Sequence, residues 1–222
     1  MRWKKTLLND AKLYLILDRQ VRPYEQLFEI ARDAIEAGVD VIQLRDKQGA
    51  AEDILDFSKR LSGLTRERAL LMVNDHADAA RAGHADGVHL GQEDLPLAEA
   101  RSLLGPDAVI GISCQTLEQA REAEVNGADY IGFGSVFKTL TKPERLPMNL
   151  GLLEEVVRTI KIPVFAIGGI TLSGMNLLIS RGVGRVAVCR EICLAGDVKA
   201  VVRQFKMSLP ADETWKKQYL RG

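Results

Sequence analysis

Two cations and an amide occupy alternate positions in one short segment, Gln43-Leu44-Arg45-Asp46-Lys47. Alternate side chains of a β-strand point to the same side, so Gln43, Arg45 and Lys47 are expected to converge. An arginine guanidinium binds phosphate through two parallel hydrogen bonds, and lysine adds a second positive charge. The segment therefore predicts an anion site. The alternative is an ordinary surface ion pair with Asp46.

Carboxylates follow two later apolar runs, at Asn74-Asp75 and at Asp94 in the segment His89-Leu90-Gly91-Gln92-Glu93-Asp94. Mg²⁺ takes oxygen ligands, and proteins commonly hold it with one or two carboxylates plus substrate phosphates. Either aspartate could instead cap the helix that follows it. As a pair on neighbouring strands beside the cationic segment, Asp75 and Asp94 favour a Mg²⁺ site.

Hydroxyl groups and a further lysine stand in two other segments. Ser113 follows the apolar run 109–112 and could donate a hydrogen bond to a phosphate oxygen. The later segment Thr139-Leu140-Thr141-Lys142 has the composition of a loop that binds an anion and closes over a site. Plain surface loops share that composition, so this segment taken alone is a weak indication.

The elements that would position these residues alternate between short apolar runs and longer amphipathic stretches. Eight runs are rich in β-branched residues, as expected of strands buried on both faces. They are Leu13 to Leu17, Val39 to Leu44, Leu70 to Val73, Gly87 to Leu90, Val109 to Ile112, Tyr130 to Phe133, Val164 to Ile167 and Arg185 to Val188. Helices are predicted over 24–37, 51–64, 117–126, 152–160 and 173–180, with a capping box at Thr116 and Gln119.

Strand and helix repeated eight times over about 200 residues predict an α/β fold, a (β/α)8 TIM barrel. The alternative is a doubly wound open sheet, which usually carries a glycine-rich turn after its first strand. Here the first strand runs into Asp18-Arg19-Gln20, without glycine, and this favours the barrel.

Two more pairs of candidate phosphate-binding residues follow the last two predicted strands. They are Gly168-Gly169 and Cys189-Arg190. Barrels often bind a phosphate at these two loops, where backbone N–H groups face the anion and glycine permits close approach. The alternative is a glycine turn needed only for backbone geometry. Together with the cationic segment, these loops suggest two anion sites and hence a reaction that joins two phosphorylated molecules.

Composition narrows the class of protein. The 222 residues carry 30 basic and 30 acidic side chains, so no positive excess favours nucleic acid or an anionic membrane. Three cysteines without metal-type spacing fit a reducing, cytoplasmic compartment, and no apolar run approaches the roughly 20 residues of a membrane span. We expect a single domain over 1–222 with a loosely ordered tail over 210–222. The oligomeric state, including a homodimer, stays open.

Several of these motifs together resemble the thiamine-phosphate synthase family, in order between Tyr14 and about Ile192. The segment from Val88 to Pro96 is the most specific of them. The matching segments are Gln43-Leu44-Arg45-Asp46-Lys47, Asn74-Asp75, Gly87-Val88-His89-Leu90-Gly91-Gln92-Glu93-Asp94-Leu95-Pro96, Gly127-Ala128-Asp129-Tyr130 and Ala166-Ile167-Gly168-Gly169-Ile170.

The resemblance implies a reaction in which hydroxymethylpyrimidine pyrophosphate and hydroxyethylthiazole phosphate give thiamine phosphate and pyrophosphate. It implies a dissociative path in which pyrophosphate leaves before the thiazole nitrogen attacks. The implied metal is Mg²⁺ on Asp75 and Asp94. The implied ligands of the pyrimidine pyrophosphate are Gln43, Leu44, Arg45, Asp46, Lys47, Asn74, Ser113 and Lys142, of which Arg45, Lys47, Ser113 and Lys142 are the predicted catalytic residues. The implied ligands of the thiazole phosphate are Thr139, Leu140, Thr141, Gly169, Cys189 and Arg190.

Three departures from the family pattern keep two other functions open. Gln115 stands where histidine is common, the 139–142 loop lacks prolines, and Arg190 stands where a small residue is usual. A related thiazole tautomerase lacks the aspartate pair and uses a histidine near position 115, the reverse of this chain. A non-catalytic barrel that binds thiamine intermediates is the other alternative, because Arg190 could fill the pocket.

Overall fold

The structure, a computed structural model, describes residues 3–139 and 146–211. Eight parallel strands close into a barrel in the order β1 to β8, which confirms the predicted (β/α)8 fold. Each strand pairs with its sequence neighbours, and β1 pairs with β8 to close the ring. The strands are β1 (Leu13–Asp18), β2 (Val41–Arg45), β3 (Leu70–Asn74), β4 (Gly87–Leu90), β5 (Val109–Cys114), β6 (Tyr130–Phe133), β7 (Val164–Ile167) and β8 (Val186–Val188).

Helices surround the barrel and connect successive strands. The described helices are α1 (Trp3–Asp10), α2 (Tyr24–Glu36), α3 (Ala51–Thr65), α4 (Ala77–Ala82), α5 (Leu97–Leu104), α6 (Leu117–Val125), α7 (Leu150–Thr159), α8 (Met175–Ser180), α9 (Arg190–Cys193) and α10 (Val198–Ser208). A 3-10 turn, Leu172–Gly174, leads into α8. Gly38 and Gly127 adopt φ values of 93° and 87° at the joins after α2 and α6, where the chain needs the left-handed conformation that glycine tolerates.

The apolar residues form two layers. The larger cluster lies between the strands and the helices, whereas a smaller one fills the barrel interior around Tyr14, Met72, Tyr130 and Phe165. Leu8 of α1 joins the interior cluster, so α1 lies against the end of the barrel opposite the carboxyl ends of the strands. The inner layer therefore fills the barrel from below and leaves its upper end for polar side chains.

The predicted capping box at the start of α6 is confirmed. The Thr116 hydroxyl accepts a hydrogen bond from the Gln119 backbone N–H, and the Gln119 side chain accepts from the Thr116 backbone N–H. Thr116→Ala removes the first of these bonds, and we expect it to lower the free energy of unfolding by about 1 kcal/mol. Urea denaturation measures the change, with Ser102→Ala on exposed α5 as the control. A loss in turnover larger than twofold would contradict a purely local role.

The described part of the C-terminal segment ends near β1. Of the tail predicted over 210–222, only Pro210 and Ala211 are described, and the backbone oxygen of Pro210 accepts a hydrogen bond from Lys12 Nζ. Within residues 3–139 and 146–211, no helix combines the length and apolarity needed to cross a membrane.

Candidate active site

A cavity of about 260 Å³ opens at the carboxyl ends of the barrel strands. It collects many of the residues that the sequence analysis selected from separate strands: Gln43, Arg45, Asn74, Ser113, Thr139, Gly169, Cys189 and Arg190. Residues that the sequence analysis did not select also line it: Ile16, His89, Ser135, Lys138, Thr171 and Glu191. The position agrees with the end of a β/α-barrel at which active sites form.

Other selected residues lie elsewhere. Leu44 is fully buried in the outer core, and the Asp46 carboxylate accepts hydrogen bonds from the backbone N–H groups of Gln48 and Gly49 and from the Tyr24 hydroxyl. The structure does not bring either side chain to the cavity. Leu44 points away from it because side chains alternate along β2, whereas Asp46 follows the strand and is held by the hydrogen bonds just named. Leu140, Thr141 and Lys142 lie outside the described residues.

Arg45 is held by a carboxylate that the sequence analysis did not select. Its Nη1 lies 2.7 Å from Oδ2 of Asp18, the last residue of β1, and both side chains are almost fully buried. The other oxygen of Asp18 accepts a hydrogen bond of 2.9 Å from the backbone N–H of Gln20. A guanidinium has five N–H donors, so this pair leaves Arg45 with donors for a ligand in the cavity.

Two carboxylates and a lysine form a second cluster at the same end of the barrel. Lys47 Nζ lies 2.5 Å from Oδ2 of Asp75, and Asp75 and Asp94 are within hydrogen-bonding reach of each other. Burial raises the pKa of the Asp75 carboxyl, the hydrogen bond to Asp94 raises it further, and Lys47 opposes both. Asp94 Oδ2 also accepts a hydrogen bond of 2.6 Å from the backbone N–H of Gly91.

The chemistry of this cluster fits Mg²⁺. Two adjacent carboxylates repel each other when both are ionised, and a divalent cation between them removes that repulsion. Asp75 also has a φ of 64°, a conformation that is uncommon outside glycine and concentrates at functional sites. Within the described parts of the chain no group of three or more acidic, histidine or cysteine side chains is poised for a metal. The remaining ligands would therefore be water and substrate oxygens, as is usual for this ion.

A chain of hydrogen-bonded side chains runs beneath the cavity. Tyr14 donates to Gln43, Tyr14 contacts Tyr130, Tyr130 contacts His89, and His89 contacts Ser113. Gln43 Nε2 in turn donates to Asn74 Oδ1 at 3.3 Å. The two tyrosines lie in runs that the sequence identifies only as buried strands, so their spatial pairing gave no signal along the chain.

The turns after β7 and β8 form the opposite wall of the cavity. Gly168 and Gly169 have φ values of 104° and 63°, and a Cβ at Gly169 would collide with the backbone oxygen of Lys138. Arg190 lines the cavity at the first position of α9, and its Nε is buried without a hydrogen-bond partner among the described residues. Because a buried donor without an acceptor costs free energy, this atom is suited to receive an acceptor from a ligand.

The thiol of Cys189, which lines this wall, is not suited to react or to bind a metal. A hydrogen bond with Cys193 and burial together raise the pKa of the Cys189 thiol, so the neutral form is favoured. A protonated thiol is a poor nucleophile and a poor metal ligand. The Cys189 side chain therefore contributes shape to the cavity wall rather than nucleophilic or metal-binding chemistry.

A closed β/α-barrel with cations, carboxylates and glycine turns around one upper cavity defines the class of barrel enzymes. The chain belongs to the thiamine monophosphate synthase family, because the model of that family matches residues 13–192. The match covers the barrel from β1 to α9.

Individual relatives agree with this assignment. A thiamine-phosphate synthase from Halalkalibacterium halodurans is 41% identical over 204 residues, covering 91% of this chain and 97% of the relative. One from Shouchella clausii is 44% identical over 191 residues, covering 85% and 91%. The solved thiamine phosphate pyrophosphorylase from Pyrococcus furiosus superposes with a TM-score of 0.82 at 39% identity, over 91% of this chain and 96% of that one. The prediction of a transferase of the thiamine-phosphate synthase type is thereby confirmed.

More distant barrels share the architecture alone. A solved 3-hexulose-6-phosphate synthase superposes with a TM-score of 0.67 at 15% identity. This likeness supports the fold and carries no argument about the reaction.

Proposed function

We propose that this chain joins hydroxymethylpyrimidine pyrophosphate to hydroxyethylthiazole phosphate in the cytoplasm, with Mg²⁺, releasing pyrophosphate. The observation that carries the proposal is the concentration of charged side chains at the end of the barrel where the cavity opens. Arg45 lies buried at its wall, and Lys47, Asp75 and Asp94 form a cluster at the same end of the barrel. With Mg²⁺ on the two carboxylates, the cations and the metal together would suit a leaving group that gains negative charge as its bond to carbon breaks.

Different side chains would then bind the two substrates. Arg45, Lys47, Asn74 and Ser113 would hold the pyrophosphate. Asp75 and Asp94 would hold the metal. Mg²⁺, when bound, would neutralise negative charge on the pyrophosphate oxygens. The turn at Gly169 and the Arg190 side chain would hold the phosphate of the second molecule.

The pathway needs no covalent intermediate on the protein. In the dissociative path, pyrophosphate leaves before the carbon–nitrogen bond forms, and the electron-rich aminopyrimidine stabilises the cation that remains. The protein would exclude water and keep the two molecules in line, which is the effect of proximity and orientation. The apolar inner layer around Met72 and Phe165 supports this role, since it closes the cavity from below.

Turnover by the purified chain tests the proposal directly. Both substrates with Mg²⁺ should give thiamine phosphate and pyrophosphate in equal amounts, and a chelator should stop the reaction until Mg²⁺ is restored. Isomerisation of the thiazole alone would indicate the tautomerase. Binding of both molecules without product would indicate the non-catalytic barrel. Gln115, the position at which the tautomerase would need a histidine, is not among the described residues that line the cavity.

Arg190 gives the proposal a test at the second substrate. In Arg190→Ser the phosphate of the thiazole loses a charged donor, and we expect its KM to rise about tenfold or more, the range for one hydrogen bond to a charged group. The KM of the pyrimidine pyrophosphate should change little. Steady-state kinetics measures both constants, with Arg181→Ser, an exposed arginine paired with Glu154, as the matched control. An unchanged thiazole KM would mean that Arg190 does not contact the phosphate.

A further inference from the structure

The hydrogen-bonded chain beneath the cavity has well-defined geometry. Tyr14 Oη lies 2.7 Å from Gln43 Oε1 and 2.9 Å from Tyr130 Oη. Tyr130 Oη lies 3.0 Å from His89 Nδ1, and His89 Nε2 lies 2.9 Å from Ser113 Oγ. Gln43 and Ser113 both line the cavity, whereas the tyrosines are fully buried below it. These hydrogen bonds therefore connect Gln43 and Ser113 through the two buried tyrosines and through His89, which also lines the cavity.

Counting the protons assigns a donor and an acceptor to each hydrogen bond between Tyr14 and Ser113. Tyr14 has one hydroxyl proton and donates it to Gln43 Oε1. Its contact with Tyr130 must then use the Tyr130 proton, so Tyr130 can only accept at its other contact, with His89 Nδ1. That nitrogen must carry a proton. In a neutral imidazole the other nitrogen, Nε2, is then an acceptor, and the hydroxyl of Ser113 donates to it.

We propose that Tyr14 and Tyr130 are positioning residues that fix His89 in the Nδ1–H tautomer and thereby hold the hydroxyl proton of Ser113 away from the cavity. Ser113 consequently presents oxygen lone pairs to the cavity in the ligand-free protein. A phosphate oxygen that binds to this hydroxyl has to compete with His89 Nε2 for the proton. The affinity of the site for pyrophosphate is therefore set partly by two buried tyrosines that the ligand never touches.

The surroundings of the tyrosines support a dedicated role. A Cβ at Gly111 would collide with the ring of Tyr130, so the glycine of β5 leaves the space that this ring occupies. The Tyr14 and Tyr130 rings pack against each other and against Phe165 at centroid distances of 5.4 to 5.8 Å. Burial raises the pKa of both phenols, so each keeps the proton that the count requires.

Nitrogen-15 NMR of histidine-labelled protein reads the tautomer directly. The chain has three histidines, and His89→Gln assigns the signal of His89. We expect Nδ1–H in the wild type. Tyr130→Phe removes the acceptor of that proton and should convert His89 to Nε2–H, because a buried donor without a partner is costly. Tyr14→Phe should do the same, since Tyr130 then turns its own proton toward Nδ1. Tyr24→Phe, which alters a tyrosine bonded to Asp46, is the control.

A binding experiment tests the consequence for Ser113, and this arm rests on the proposed function. With His89 as Nε2–H, the hydroxyl of Ser113 is free to donate to a ligand. Titration calorimetry with inorganic pyrophosphate and Mg²⁺ should therefore give a Kd about two- to tenfold lower in Tyr130→Phe, the value of one net hydrogen bond. Tyr24→Phe should match the wild type.

Clear results would overturn the inference. An Nε2–H tautomer of His89 in the wild type would contradict the proposed direction of the hydrogen bonds. An Nδ1–H tautomer retained in Tyr130→Phe or in Tyr14→Phe would contradict it as well. A Kd that stays the same or rises in Tyr130→Phe contradicts the link to Ser113. The tautomer measurement needs neither substrate nor turnover, so it can fail or succeed independently of the proposed reaction.

Discussion

Asp94→Ala is expected to lower kcat/KM by about 100-fold or more, while the barrel stays folded. Asp94 and Asp75 are the two carboxylates of the proposed Mg²⁺ site, and removing one leaves the ion with a single protein ligand. Losing one preorganised group that stabilises transition-state charge typically costs about 10²- to 10³-fold in rate. Alanine also removes the acceptor for the Gly91 backbone N–H, so a second variant is needed.

Asp94→Asn separates the charge from the structural contact. The amide keeps an oxygen for Gly91 and removes only the negative charge, so the fold should be unaffected and the Mg²⁺ concentration for half-maximal rate should rise. Glu93→Gln, at the exposed neighbouring carboxylate, is the matched control and should behave as the wild type. Wild-type kinetics and wild-type Mg²⁺ dependence in both Asp94 variants would remove the metal assignment.

The barrel could be predicted because each strand is buried on both faces and therefore has a continuous apolar run. Three of the eight runs, including Gly87–Leu90 and Tyr130–Phe133, have the bounds that the sequence indicates. Four others differ by one or two residues at one end, and β2 differs from its predicted run at both ends. Helix α1 was not predicted. It has eight residues and no strong apolar periodicity, so it depends on contacts with the barrel rather than on its own helix propensity.

Site residues could be predicted where the strand alternation holds and not beyond it. Gln43 and Arg45 lie within β2 and both reach the cavity. Lys47 follows the end of the strand, where the alternation no longer applies, and it pairs with Asp75 instead. A neighbour in space but not in sequence, such as Asp18 beside Arg45, leaves no spacing pattern that the sequence could reveal.

Asp18→Asn is the second change with a large expected effect. The amide can replace the carboxylate in shape and in its bond to the Gln20 backbone N–H, but it leaves the buried guanidinium of Arg45 without a counter-charge. Breaking a buried ion pair by removing one partner costs about 3–5 kcal/mol, so we expect a loss in the free energy of unfolding near the lower end of that range. Urea denaturation measures it.

The same variant should also show whether Arg45 binds the anion, through the stability that Asp18→Asn regains when pyrophosphate is added. Arg45 without Asp18 has a vacant position that an anion can fill, so Mg²⁺ and pyrophosphate should restore more stability to Asp18→Asn than they add to the wild type. Asp129→Asn is the matched control, because Asp129 forms a similar pair with Arg101 at the opposite end of the barrel. It should lose stability without this additional recovery. Equal stabilisation of both variants by pyrophosphate would show that Arg45 does not bind the anion, because only the Asp18 variant frees a cation at the cavity.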